Sequence, residues 1–104
     1  MYIYNVTVNI EDEVHDDWLQ WMKEVHIPDV LATGFFIDSR FSQVMVDEAQ
    51  GLTYSIQYRF RSMEDLQRYQ DEHAPRLQAE HLSRYKDRFV AFRTILRIEH
   101  EDQA

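Results

Sequence analysis

The chain has 104 residues, 44% of them hydrophobic and 13% aromatic, with two glycines and two prolines. That is enough for one domain with its own core and is unlike a disordered segment. The lack of cysteine excludes a disulfide framework, a thiolate nucleophile and a zinc–thiolate site, and a net charge of −8 without a basic stripe disfavours nucleic acid as a partner.

Tyr2 to Ile10 alternates, with Tyr4, Val6, Val8 and Ile10 on one side and Ile3, Asn5, Thr7 and Asn9 on the other, which predicts a strand. Asp12 to about His26 reads as a helix, since Val14, Trp18, Trp21, Met22 and Val25 recur at helical spacing. Acidic residues around its start, Glu11, Asp12, Glu13, Asp16 and Asp17, complement the helix dipole. Pro28 is expected to end this helix and open a new short turn, capped by Gly34. Phe35 to about Val46 reads as a second strand, with Phe35, Ile37, Phe41 and Met45 inward and Asp38, Arg40 and Ser42 outward, as suits a sheet edge. A turn over residues 47–51 leads into a third strand, Leu52 to Phe60, completing a hairpin.

Ser62 is expected to cap a second helix, with Asp65 as its partner and a stripe of Leu66, Tyr69, His73 and Leu77 that Pro75 kinks or splits. Leu82, Tyr85 and Phe89 lead to a last strand from Val90 to about His100. Residues 1–100 are thus expected to form one domain and 101–104 a frayed tail. No leader pattern and no apolar run of about 20 residues stands out, so a cytoplasmic protein without a membrane segment is expected.

The order β-α-β-β-α-β predicts an α+β, ferredoxin-like domain. Its four-stranded antiparallel sheet has the order 4-1-3-2, with both helices on one face. The other face then lacks cover within the chain, and a homodimer pairing two such sheets would supply it.

Several segments carry a resemblance: Tyr2 to Asn9, Trp18-x-x-Trp21-Met22, His26-Ile27-Pro28, Ala32-Thr33-Gly34, Gln57-Tyr58, His73-Ala74-Pro75 and Phe92-Arg93-Thr94. With them the chain resembles a small bacterial family of unknown function in the dimeric α/β-barrel superfamily. That superfamily includes cofactor-free quinone-forming monooxygenases, haem-degrading monooxygenases, muconolactone-type isomerases and small-ligand sensors. The haem-degrading members pair a strand-one Asn and a helix-two His with a Trp on the sheet. Asn5 and His73 are similar in placement, but both tryptophans fall on helix one, so no cofactor is expected.

The candidate pocket comprises Asn5, Thr7, Trp21, His26, Gln57, Tyr58, His73 and Arg93. Asn5, Thr7, Gln57 and Arg93 sit on adjacent strands and are expected to form one polar patch. It serves either as a pocket floor with Arg93 as the charge partner or as a hydrogen-bonded network in a dimer interface. His26, at a helix end, can meet exposed carbonyls or act as a general base. His73 is a satisfied core histidine, or else an axial haem ligand or a base. Trp18, Trp21, Tyr54, Tyr58 and Tyr69 serve either as core or as the wall of an aromatic cavity. No metal site is expected, because His73 and His81 lie two helical turns apart with Pro75 between them.

Two functions fit these residues. One is a domain that binds a small organic molecule or a protein partner without catalysis. The alternative is a cofactor-free monooxygenase or isomerase acting on a small aromatic or polar substrate.

Overall fold

The structure is a computed structural model and describes residues 1–47 and 49–104. Glu48, within the turn expected over 47–51, lies outside the described residues.

Four strands, β1 (Tyr2–Ile10), β2 (Asp38–Gln43), β3 (Leu52–Phe60) and β4 (Phe89–Arg97), form one antiparallel sheet of order β2-β3-β1-β4. Read from the other edge this is 4-1-3-2, as the sequence predicts. The shortest dimension of the molecule, 21 Å, is the thickness of two layers, one sheet and one layer of helices.

The alternation of β1 and β3 assigns their faces. Tyr4, Val8 and Ile10 meet Tyr54, Ile56, Tyr58 and Phe60 on the helix side, all buried. Register then fixes β4, where Val6 pairs with Arg93 and Val8 with Ala91. Phe89, Ala91 and Arg93 therefore share the helix side, while Val90, Phe92 and Thr94 share the open side with Asn5 and Thr7.

The helix layer departs from expectation at its first helix. That helix does not stop before Pro28. It runs through a single 3₁₀ turn (Asp12–Val14), α1 (His15–Trp21), a π-helical turn (Met22–His26) and α2 (Ile27–Ala32), with Pro28 inside the first turn of α2. Proline crowds the carbonyl four residues back, here Glu24, and that carbonyl lies inside the widened π turn. Gly34, at φ 86°, follows α2 as expected of a helix end.

Ser62 caps α3 (Met63–Glu72) by accepting from the Asp65 backbone N–H at 3.2 Å. Pro75 splits the second helix, and α4 (Ala74–Arg84) starts afresh, with His73 at the junction. β2 is shorter than predicted. Phe36, rather than Phe35 or Ile37, turns into the core, and Met45 is 84% exposed. Gly34 and the residues after it reach the sheet as an irregular segment, so period-two reasoning fails there.

Candidate functional site

A cavity of about 60 Å³ lies between the sheet and the helices. From the sheet, Tyr4, Val6, Ile56, Tyr58, Ala91 and Arg93 form its floor. From the helices, Met22, His26 and Val30 come off the first helical run, Tyr69 off α3, and Leu77, Gln78 and His81 off α4. The lining is apolar except for one guanidinium, two imidazoles, one amide and three phenols.

His81 is buried and accepts a hydrogen bond at Nε2 from the Trp18 indole N–H at 2.9 Å. An indole only donates, so this contact fixes His81 as the neutral tautomer with its proton on Nδ1. His26 lies beside it, with ring centroids 5.7 Å apart. The buried Nδ1 of His26 has no hydrogen-bond partner among the described residues. Burial holds both imidazoles down to about 4. For His26, Asp29 opposes that fall and Arg93 adds to it; for His81, His26 and Arg93 both add to it. Both are therefore neutral at pH 7.

The phenols of Tyr58 and Tyr69 are pushed well above their ordinary range by burial and by neighbouring phenols. They remain protonated donors. Tyr69 and Tyr58 both pack on Phe36, at 4.8 and 5.2 Å.

Of the predicted residues, His26, Tyr58 and Arg93 meet at the cavity. Trp21 stacks on His26 from outside at 5.1 Å, and Arg84 covers its ring at 5.6 Å. Asn5, Thr7 and Gln57 lie on the opposite sheet face, so the single polar patch expected of them with Arg93 is split by the sheet. On that face Ser55 donates to Asn5 Oδ1 at 2.5 Å, and Asn5 donates to Thr7 at 3.1 Å. His73 sits at the α3–α4 junction against Phe35, 5.8 Å away, apart from the cavity. Trp18 and Tyr54 belong to the core.

Sequence reasoning missed the cavity role of His81, Gln78 and Met22. A signal for them existed. Trp18, Met22, His26 and Val30 recur every four residues, and Leu77 and His81 are four apart beyond Pro75.

The haem arrangement of the superfamily does not fit these residues. Asn5 and His73 share no site, and the cavity is far smaller than a porphyrin. Among the described residues, no three His, Asp or Glu side chains converge to hold a metal ion. No helix among them is long and apolar enough to cross a membrane.

Solved structures share this architecture. A dimeric ferredoxin-like protein from an uncultured marine organism matches with a TM-score of 0.73 at 17% identity, covering 100% of both chains. A Bacillus cereus protein provisionally named an antibiotic biosynthesis monooxygenase matches with a TM-score of 0.67 at 14% identity, covering 99% of this chain and 97% of its own. A variant of MhuD crystallised with two manganese protoporphyrin IX molecules per active site matches with a TM-score of 0.67 at 10% identity, covering 100% of both chains. At such identities the likeness establishes the ferredoxin-like fold. No curated protein matches the chain. Residues 1–99 match the domain of unknown function DUF4286, and the chain belongs to that family.

Proposed function

We propose that this protein is a homodimeric domain that binds a small organic molecule in the cavity between sheet and helices, without catalysis. One observation carries the reading: the buried Nδ1 of His26 has no partner among the described residues and lies, with His81 and the exposed Arg93, on a space walled mostly by core side chains. A core that needed no ligand would close over apolar groups, because unpaired polar groups are costly to bury. The dimeric marine neighbour supports pairing of two chains.

A second reading, a cofactor-free monooxygenase or isomerase, is favoured by the unpartnered Nδ1 of His26, placed as a general base would be. The provisional name of the Bacillus cereus neighbour points the same way. A base whose conjugate acid lies near 4 is poorly matched to proton abstraction at pH 7, however, and this ranks binding first.

Native mass spectrometry of the freshly purified protein tests the proposal. The expected result is a dimer carrying a stoichiometric extra mass that Ala91→Phe, which fills the cavity floor, removes while the chain stays folded. An extra mass that survives Ala91→Phe places the ligand elsewhere. A bare protein that a small-molecule panel neither shifts nor stabilises overturns the reading.

A further inference from the structure

The arginines of this chain divide into two groups. Arg59, Arg68, Arg76, Arg84, Arg88 and Arg97 each lie within ion-pair distance of a carboxylate. Arg93, like Arg40 and Arg61, pairs with none among the described residues, although the chain carries 19 acidic side chains against 11 Lys and Arg. It is also the arginine that lines the cavity. Among the described residues, no carboxylate lines that cavity. Asp29 acts on His26 but is not part of the wall, and every polar group that faces inward can donate a hydrogen bond.

The shape orients an occupant. Arg93 is exposed on the edge strand β4, whereas His81 at the inner wall is buried. The charged end of a ligand thus belongs near β4, and its body lies inward against Met22, Val30 and Leu77. A cavity of about 60 Å³ is less than half the roughly 150 Å³ that accommodates benzene. The body is therefore a few heavy atoms, not an aromatic ring.

Resting on the cavity reading above, we propose that the ligand class is a short-chain carboxylate, with its acid group held by the Arg93 guanidinium and its aliphatic or oxo-substituted body inside, against His26 and His81. An arginine fork matches a carboxylate in two parallel hydrogen bonds, which a neutral amide cannot reproduce.

Paired titrations with butyrate and butyramide test this, reading the Trp18 indole N–H and the His26 and His81 ring signals by NMR. Butyrate is expected to shift all three to saturation and to bind about ten-fold more tightly than butyramide. Arg93→Gln is expected to abolish that preference while leaving the spectrum folded. Equal binding of the two compounds overturns the carboxylate assignment and leaves the cavity reading standing. Failure of both to move the three signals overturns both. Sedimentation of Arg93→Gln provides the remaining control. If the substitution dissociates a dimer, Arg93 is an interface residue and the proposal falls.

Discussion

The indole N–H of Trp18 is directed at His81 Nε2, and this contact sets the charge state of the cavity's inner wall. Protonating His81 would place a second donor opposite the indole and a charge in the core, beside His26 on the first helical run and Arg93 on β4. Its unfolded-state imidazole titrates near 6.5 and its folded one near 4. Between those values the unfolded chain holds the extra proton, so stability falls as the pH falls through that window and is level above it. At about 1.4 kcal/mol per pH unit, the fall from 6.5 to about 4 is about 3–4 kcal/mol from His81. His26 contributes in the same direction. Urea unfolding as a function of pH checks this. His81→Gln keeps an acceptor for Trp18 and should lose about half of the decline, leaving the part due to His26. A variant that declines as steeply as the parent would show that His81 does not carry the effect.

At the scale of elements, strands with strict alternation were readable and interrupted ones were not. Tyr4, Val8, Tyr54 and Tyr58 fall on the side their spacing predicts. β4 did not announce its phase, because Phe92 and Ala91 are both apolar and only the register with β1 shows that Ala91 and Arg93 face the helices. The four-residue recurrence of Trp18, Met22, His26 and Val30 drifts off one face of a plain α-helix, whose turn is 3.6 residues. The wider turn at Met22–His26 offsets that drift and brings His26 to the cavity. Proline as a helix stop was therefore the misleading signal. Turn geometry yields a sharper test at the two glycines. A Cβ at Gly34 (φ 86°) meets nothing within 4 Å, so Gly34→Ala should cost only the left-handed strain, about 1 kcal/mol. A Cβ at Gly51 (φ 71°) would lie 2.5 Å from Asn9 Oδ1 and 2.8 Å from the Ile10 carbonyl. Gly51→Ala should therefore cost about 2–3 kcal/mol, as strain and overpacking add. Equal unfolding midpoints for the two variants would refute the steric account.

At the scale of the molecule, the open sheet face has two characters. Along β1 and β3, Ser55, Asn5 and Thr7 bond one another, so this part of the face satisfies its own polar groups. Along β4, Val90, Phe92 and Leu96 are 69%, 62% and 40% exposed. The aromatic alternation that made a bare face look costly went mainly to the helix side, and the apolar remainder is concentrated at one edge. A proposed pairing of two chains should therefore centre on β4, with Phe92 as its anchor. Phe92→Glu puts two carboxylates near each other across a two-fold axis and removes the anchor. It should weaken dimerisation at least thirty-fold in sedimentation equilibrium. The far-ultraviolet spectrum should be unchanged, because Phe92 is outside the core. Each chain carries −8, so added salt should strengthen the parent dimer by screening repulsion between the two copies. A parent protein that sediments as a monomer at all concentrations would refute the pairing. A Phe92→Glu protein that remains a dimer would move the contact off Phe92 and the open side of β4, the side opposite Arg93.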